Sequence, residues 1–361
     1  MRRIYNFSAG PAILPVPVLE EASRGLLEIN GSGMSVLEVS HRSKVYDAVH
    51  AGAMESVLQT LNLSADEYVV MLLGGGASLQ FTMLPMNFLG TDEVADYVDG
   101  GEWGGKAIKD AKRFGKVHVA GSSATTKYDR LPVDLNFSAP GTARYAHITT
   151  NNTIEGTQVF SLPDTNGAPL TADMSSDIFA VERDFSRFSL LYFGTQKNAG
   201  AAGVTVVVAK KAFLETAKKD LSPMLSYVVQ AEKQSLYNTP PVFAVYLLGL
   251  VTQWVRAEGG IAALEKRNRE KAQLIYDALD AYPAVYVPAV AVREDRSLMN
   301  ITFRLVDETR NAEFLAAAKE RDMDGLPGHR NVGGFRASIY NAFPVEGCAA
   351  LAELLHAFAR R

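Results

Sequence analysis

The sequence is poor in cysteine and has no long apolar run. Cys348 is the single cysteine among 361 residues, which excludes an intrachain disulfide and a thiolate-based metal site. The most apolar stretch, residues 242–251, is too short to cross a bilayer and is followed by polar and charged residues. The amino-terminal residues lack the continuous apolar stretch of a signal peptide. We therefore expect a cytoplasmic protein that is not associated with a membrane.

The chain also lacks an excess of positive charge. It has 36 lysines and arginines against 40 acidic residues, a formal net charge of −4, and it has no basic block. A phosphate backbone would find no attracting field, so nucleic acid is not an expected partner. The six histidines have no close metal-ligand spacing, and His41 and His50 are too far apart for one helical turn. No metal site is expected.

Strand-like and helical patterns alternate along most of the chain. With 47% hydrophobic and 21% charged residues, the chain can bury a large core. The alternation over residues 16–265 predicts an α/β domain whose mostly parallel sheet is covered by helices. Residues 1–15 and 266–361 are expected to form a smaller α+β domain with a strand at 285–292, and helical spacing of apolar residues predicts a helix over 261–279. Strands of the large sheet are expected at 69–73, 94–98, 117–119, 145–149, 190–193 and 204–209.

Lys197 follows one of these predicted strands and lies in a polar turn flanked by Gly194 and Gly200. An amine at a strand end can be partly desolvated, which lowers its pKa and makes it a nucleophile toward an aldehyde. The pattern therefore indicates Schiff-base chemistry. The alternative, which this segment alone favours, is a solvated surface lysine.

Two further segments suit an anion and a cation. The glycines of residues 74–78 lie between a strand and a helix, where backbone N–H groups can bind a phosphate. A simple tight turn explains them equally well. Asp173 follows a short apolar stretch, and its carboxylate would suit a protonated pyridine nitrogen. Its alternative role is to cap a helix at residues 176–181.

Other polar and aromatic segments fit a ligand site with less specificity. Trp103 lies among four glycines and is expected either to stack on a planar ligand or to pack on the surface. Residues 151–156 follow a strand and offer side-chain donors and acceptors to a ligand, although turn formation explains them almost as well. Asn238 and Thr239 precede a predicted helix and suit either a cap or a phosphate contact.

A glycine-rich loop near the carboxyl terminus carries His329, Arg330 and Arg336. Arginine presents a planar fork to carboxylate or phosphate, so this loop suits a substrate with two anionic ends. His41 and Arg42 offer a second pair of the same kind. For each residue alone, a surface salt bridge is the alternative.

Together these segments resemble the phosphoserine aminotransferase family, pyridoxal-phosphate enzymes of fold type I and class V. The resemblance spans almost the whole chain. It is carried by the motifs at 7–12 (FSAGPA), 41–42 (HR), 152–156 (NTIEG), 173–176 (DMSS), 196–198 (QKN), 238–241 (NTPP) and 328–330 (GHR).

The resemblance implies a seven-stranded sheet, a pyridoxal 5′-phosphate cofactor and a homodimer with shared active sites. It implies that Lys197 forms the internal aldimine and moves a proton at the substrate α-carbon, and that Asp173 pairs with the pyridine nitrogen. The cofactor is implied to contact Gly76, Ala77, Trp103, Thr153, Gln196, and Asn238 and Thr239 of the neighbouring subunit. The substrate is implied to contact Ser8, His41, Arg42, His329, Arg330 and Arg336.

The implied reaction transfers the amino group of glutamate to 3-phosphohydroxypyruvate and gives 2-oxoglutarate and phosphoserine, a step of serine biosynthesis. A related step of pyridoxine biosynthesis stays open. The sequence departs from some members at Ala77, where they have arginine, and at Asn331, where serine is frequent. The alternatives are another class V enzyme, such as a desulfurase, and a non-catalytic phosphate-binding protein. A desulfurase needs a mobile cysteine, whereas Cys348 lies in a predicted helix.

Overall fold

The structure, a computed structural model, describes residues 3–330 and 332–361. Its strands and helices follow the alternation that the sequence predicts. In chain order they are β1 (Tyr5–Asn6), α1 (Val16–Leu27), α2 (Lys44–Leu61), β2 (Tyr68–Leu73), α3 (Gly76–Phe88), β3 (Val94–Asp99), α4 (Glu102–Ala111), β4 (Lys116–Ser122), β5 (Ala143–Thr149), β6 (Leu170–Asp173), β7 (Phe188–Gly194), β8 (Thr205–Lys210), α5 (Lys211–Leu214), α6 (Tyr227–Glu232), α7 (Val242–Ala257), α8 (Gly260–Asp280), β9 (Tyr286–Pro288), β10 (Asn300–Leu305), α9 (Asn311–Lys319), β11 (Met323–Asp324), β12 (Phe335–Ser338) and α10 (Val345–Ala359).

A seven-stranded sheet with the order β2-β8-β7-β6-β5-β3-β4 is the centre of the fold. The pairings from β7 through β6, β5 and β3 to β4 are parallel, whereas β8 is antiparallel to both β7 and β2. Thr205 of β8 lies level with Gly194 on one side and with Leu73 on the other. The predicted α/β class and mostly parallel sheet are confirmed.

Strand β7 explains why the sheet is covered on both faces. Leu191 and Phe193 pack into one apolar cluster with α2 and α7, whereas Leu190 and Tyr192 pack into a second cluster with α3 and α4. Successive side chains of a strand point to opposite faces, so a continuous apolar run is buried on both. The carboxyl ends of the parallel strands consequently share one edge of the sheet.

The carboxy-terminal region forms a small antiparallel sheet with the order β12-β10-β9. Its apolar side chains pack with α8, α9 and α10 in a separate cluster. The strand predicted over 285–292 is wrong beyond Pro288, because the chain turns away there and the N–H of Ala291 donates to the carbonyl of Asp129. The predicted boundaries between the domains, 1–15, 16–265 and 266–361, stay a prediction.

The amino-terminal segment connects these two regions. Tyr5 and Asn6 pair in parallel with Met323 and Asp324 of β11. Further along, the N–H of Ala12 donates to the carbonyl of the residue before Lys197 over 2.9 Å. Residues 8–11 therefore lie beside the turn that follows β7.

Two further expectations concern helices. Residues 176–181 form turns, so the helix considered there is wrong; the N–H groups of Asp177 and Ile178 instead donate back to the carbonyl of Met174. Cys348 is fully buried in α10, as its helical context predicts. Among the described residues, no helix combines the length and the apolar character needed to span a membrane.

Candidate active site

Lys197 lies in the turn after β7, at the carboxyl edge of the large sheet, and its side chain is partly buried. Its Nζ donates a hydrogen bond to Thr153 Oγ1 over 2.8 Å. Burial lowers the pKa of Lys197 to about 8; Asp173 opposes this effect and the charge of Arg336 adds to it. The amine therefore loses its proton much closer to neutral pH than an ordinary lysine does.

Asp173 is the last residue of β6 and lies beside Tyr192 of β7. Its Oδ1 accepts the N–H of Ser175 over 2.9 Å, and Ser175 Oγ accepts the N–H of Gly194 over 3.2 Å. Burial raises the pKa of Asp173, whereas the hydrogen bonds from Ser175 and the charge of Lys197 act in the opposite direction. The buried carboxylate is thus held for a cationic partner.

Trp103 is the second residue of α4, and Lys197 Nζ lies 5.9 Å from the centre of its ring. The start of α4 is fixed by Glu155, whose Oε1 accepts the N–H of Glu102 over 2.8 Å. Burial raises the pKa of this carboxyl. Because Trp103 directly follows Glu102, the contact with Glu155 also positions the indole.

Buried polar atoms without a hydrogen-bond partner among the described residues collect on the segments around Lys197. They are Trp103 Nε1, Asn152 Oδ1, Glu155 Oε2 and Arg336 Nε. Buried polar atoms are nearly always paired in folded proteins. Both donors and acceptors occur in this group, so the site suits a polar ligand.

The predicted glycine turn lies between β2 and α3. Gly75 has φ +84° and Gly76 has φ +65°, a region that favours glycine. Helix α3 begins at Gly76, and within the described chain no side chain caps it. The first backbone N–H groups of α3, including that of Ala77, are therefore available to an anion. The Gln196 side chain folds back over the end of β7, where a Cβ added to Gly194 would lie 2.5 Å from its Oε1.

Arg336 lies on β12 and reaches the large sheet, because its Nη1 donates to the carbonyl of Thr153 over 3.4 Å. Burial lowers the pKa of Arg336. Burial also lowers the pKa of His329, and the charges of Arg336 and Arg330 add to this. Arg330 and Arg336 are thus close enough to His329 for their charges to disfavour its protonated form. Arg330 is exposed, and Asn331 lies outside the described residues.

Ser8 is partly buried in the segment that covers the Lys197 turn. Gly325 touches it so closely that an added Cβ would lie 2.5 Å from the Ser8 nitrogen. On the other side, a Cβ at Gly10 would lie 3.5 Å from Lys197 Cγ. The segment therefore fits tightly between the loop after β11 and the stem of the lysine.

Four residues predicted for the site lie elsewhere in the chain. His41 and Arg42 are in the turn before α2, and Asn238 and Thr239 are exposed before α7. Within the part of the chain that the structure describes, no hydrogen bond or ion pair joins any of them to Lys197 or to the glycine turn. Among the described residues, hydrogen bonds and ion pairs therefore do not join all the predicted side chains into one site.

Three positions in or near the site were missed as functional candidates. Glu155 and Ser175 both lie inside motifs that the sequence analysis identified. For Glu155, the available signal was an acidic residue in a polar segment that becomes buried. Tyr340 carried no such signal, since it follows β12 among ordinary core residues. Its relevance depends on a contact 331 positions away, with Ala9.

The fold and the site together define an α/β enzyme that works with a lysine amine. The lysine is at the carboxyl edge of the sheet, the buried carboxylate of Asp173 is on the neighbouring strand, and arginine with an uncapped helix start is available to anions. Such pairs of groups with oppositely shifted pKa values are typical of catalytic sites.

Comparison with known proteins identifies the family. The model of the aminotransferase class-V family matches residues 4–351. The phosphoserine aminotransferase of Lysinibacillus sphaericus is 49% identical over 360 residues, which cover 100% of this chain and 99% of that protein. That of Geobacillus kaustophilus is 49% identical over 361 residues, with coverage of 100% and 99%. The solved phosphoserine aminotransferase of Bacillus circulans subsp. alkalophilus has a TM-score of 0.95 at 45% identity and 99% coverage of both chains.

The chain belongs to the aminotransferase class-V family, and it is an aminotransferase. The resemblance, the fold and the enzyme class predicted from the sequence are confirmed.

Proposed function

We propose that this protein is a pyridoxal-phosphate-dependent phosphoserine aminotransferase. It transfers the amino group of L-glutamate to 3-phosphohydroxypyruvate and gives O-phospho-L-serine and 2-oxoglutarate, reversibly, in L-serine biosynthesis. The observation that carries the proposal is the Lys197 amine, whose pKa is lowered to about 8 and whose Nζ is held 2.8 Å from Thr153 Oγ1. The names of relatives 49% identical over the whole chain support the same substrate.

The residues around Lys197 fit the cofactor, because the unpaired buried atoms there include both donors and acceptors. Asp173 would accept a hydrogen bond from the protonated pyridine nitrogen and keep the ring cationic, Trp103 would lie against the ring, and Thr153 would bind the ring hydroxyl. The residues that bind the cofactor phosphate are Gly76, Ala77 and Gln196, with backbone N–H groups at the start of α3. Because Ala77 replaces the arginine of some members, this phosphate is bound without a local positive side chain.

When bound, pyridoxal phosphate supplies an electron sink for negative charge at the substrate α-carbon. The residues of this chain provide the acid-base chemistry. As a free amine, Lys197 would take the proton from the substrate α-carbon, and as an ammonium it would deliver this proton to the cofactor C4′. A pKa near working pH suits both roles. Thr153 orients the amine through its hydroxyl group. Burial raises the pKa of Asp173, and the hydrogen bond from Ser175 opposes this effect and favours the ionised form.

The two anionic ends of the substrate would be bound by different side chains. Arg336 binds the α-carboxylate, and its partial burial strengthens a bidentate contact. His329 and Arg330, with Ser8 nearby, bind the distal phosphate or the distal carboxylate of glutamate. A site that accepts both ends by charge serves both substrates of the reaction.

A homodimer completes the site. Asn238 and Thr239 are exposed and do not reach the glycine turn of their own chain, so the phosphate is bound by Asn238 of the partner subunit and Thr239 of the partner subunit. Within the described residues, no hydrogen bond or ion pair joins His41 or Arg42 to Arg336. His41 and Arg42 belong to the neighbouring site by the same reasoning.

The proposal is tested by spectroscopy and substrate choice. Adding pyridoxal phosphate to the purified protein is expected to produce a visible absorption band, which Lys197→Ala abolishes and the exposed control Lys211→Ala retains. A protein that stays colourless is a non-catalytic binder, which would refute the proposal.

The same absorption band measures which oxo acid the enzyme prefers as a substrate. Glutamate should remove it, and 3-phosphohydroxypyruvate should restore it about a hundredfold faster than pyruvate, since lost charge-assisted contacts cost a few kcal/mol. Equal rates with the two oxo acids would identify a different class V aminotransferase.

A further inference from the structure

The amino-terminal segment passes the lysine with few attachments of its own. Before it, the carbonyl of Phe7 accepts the N–H of Ser338 over 3.2 Å, and after it Ala12 donates to the carbonyl of Gln196. Between these anchors lie residues 8–11, which are partly buried or exposed. Their position beside Lys197 is therefore set by contacts at a small number of atoms.

One side chain of the small sheet reaches the middle of this segment. The Tyr340 hydroxyl donates to the carbonyl of Ala9 over 2.7 Å. Within the described residues, it is the long-range hydrogen bond that joins residues 8–11 to the rest of the chain. The ring of Tyr340 is fully buried, so the hydroxyl is held by packing as well as by its acceptor.

The same hydroxyl belongs to a buried relay. It accepts from Asn300 Nδ2 over 3.2 Å, and Asn300 Oδ1 in turn accepts from Asn151 Nδ2 over 2.8 Å. Asn151 also donates to Ser176 Oγ over 2.8 Å, in the loop after Asp173. The amino-terminal segment is thereby connected to the cofactor side of the site through buried amides.

Tyr340 also lies next to the substrate side. Arg336 and Tyr340 interact electrostatically, and they flank Ser338 on the same stretch of chain. Tyr340 lies four residues after Arg336, so its hydrogen bond to Ala9 attaches the amino-terminal segment to the stretch of chain that carries the arginine. This attachment influences how Ser8 and Arg336 are placed relative to one ligand.

We propose that Tyr340 is a positioning residue whose hydroxyl holds residues 8–10 against the Lys197 turn and so sets the affinity of the site for its substrates. The inference rests on the proposed function for the identity of those substrates. It does not place Tyr340 in contact with them. Its effect passes through the backbone of Ala9.

The test compares Tyr340→Phe with Tyr286→Phe in the loaded enzyme. Tyr286 is an equally buried tyrosine of the same region, and its hydroxyl donates to the carbonyl of Leu355 over 2.7 Å, away from the segment. Each variant loses one hydroxyl and the hydrogen bond that it donates, and Tyr340→Phe also loses the bond accepted from Asn300. The melting temperature of each variant is measured beside the readouts below, so that a general loss of stability is separated from an effect on residues 8–10.

The readouts are amide hydrogen exchange of the peptide over residues 5–12, and KM against kcat. Tyr340→Phe is expected to speed exchange at Ser8, Ala9 and Gly10 and to raise KM for glutamate about five- to tenfold, the effect of one hydrogen bond, with kcat little changed. Tyr286→Phe should change neither.

Unchanged exchange and KM in Tyr340→Phe would overturn the inference, and so would equal changes in Tyr286→Phe. If Tyr340→Phe does not fold, Gly325→Ala displaces Ser8 from the opposite side and should raise exchange and KM in the same way; no change there would also overturn it. Exchange can be measured without cofactor, so the inference can fail while the visible band and activity of the wild type still support the proposed function.

Discussion

The amine of Lys197 must lose its proton before it can attack an aldehyde, so its pKa governs cofactor capture. Because burial lowers this pKa to about 8, the rate of band formation in the cofactor-free protein should rise with pH up to about that value and then level off. An ordinary lysine would give a rate that is still rising near about pH 10. Stopped-flow absorbance across this range measures the curve.

Replacement of Arg336 tests whether nearby positive charge contributes to the lowered pKa of Lys197. The positive charge of Arg336 disfavours the Lys197 ammonium, so Arg336→Met should raise the pKa of Lys197 and move the curve to higher pH. Lys106→Met removes a charge that lies 4.4 Å from the centre of the Trp103 ring instead, and should leave the curve in place. A curve that does not move in Arg336→Met would contradict the electrostatic explanation.

Residue types in a local pattern predicted Lys197 and Asp173 as a pair, because each follows a strand and parallel strands end at one edge. The pattern could not predict Ser175, Glu155 or Tyr340. Their contacts depend on which loops meet in space, and a serine or tyrosine has too many ordinary roles to stand out in one sequence.

Helix α3 depends on the backbone of the glycine turn. Gly75→Ala would force a side chain into φ +84° and place Cβ 2.6 Å from Leu79, so the start of the helix must shift. The left-handed conformation costs roughly 1–2 kcal/mol for a residue with a Cβ. We expect a lower melting temperature and a cofactor dissociation constant about tenfold higher, because the first N–H groups of α3 move.

Gly141→Ala is the matched control for Gly75→Ala. Gly141 has φ +77° and open space around an added Cβ, in the turn before β5. Gly141→Ala should therefore lose stability through backbone strain but keep its cofactor affinity. Fluorescence titration with pyridoxal phosphate measures both variants, and unaltered affinity in Gly75→Ala would exclude the helix start as a phosphate site.

The bounds of elements with long periodic patterns were predicted within a few residues. The helix predicted over 261–279 is observed as α8, Gly260–Asp280. Short elements were less predictable. β9 ends at Pro288 because the following backbone bonds to Asp129, which is more than 150 positions away, and the turns at 176–181 satisfy their N–H groups locally. Contacts with distant residues can override the local preference for a strand or a helix, and the sequence of one segment does not reveal them.

At the scale of the whole molecule, the proposed sharing of sites between subunits predicts complementation. Consider a hybrid dimer of a Lys197→Ala chain with an Asn238→Ala, Thr239→Ala chain. One of its two sites contains intact Lys197, Asn238 and Thr239, and the other site carries all three substitutions. Equal mixing after reversible dissociation should thus restore up to about a quarter of the wild-type sites, since about half of the dimers are hybrids.

Asp173→Asn provides the control for this experiment. Asp173 and Lys197 interact within one chain, so a hybrid of Lys197→Ala with Asp173→Asn contains no intact site and should stay inactive. Equal recovery in both mixtures, or none in the first, would refute sharing through Asn238 and Thr239.

The antiparallel strand β8 acts as a spacer with a consequence for ligand size. Two reversals of direction, from β7 to β8 and from β8 to β2, make β2 and β7 run the same way, and Thr205 lies level with the ends of both. The glycine turn and the Lys197 turn thus open at one edge, two strand widths or about 10 Å apart. A ligand that binds the glycine turn through an anion and the Lys197 amine through a carbonyl must span this width, so the inserted strand sets the length of such a ligand.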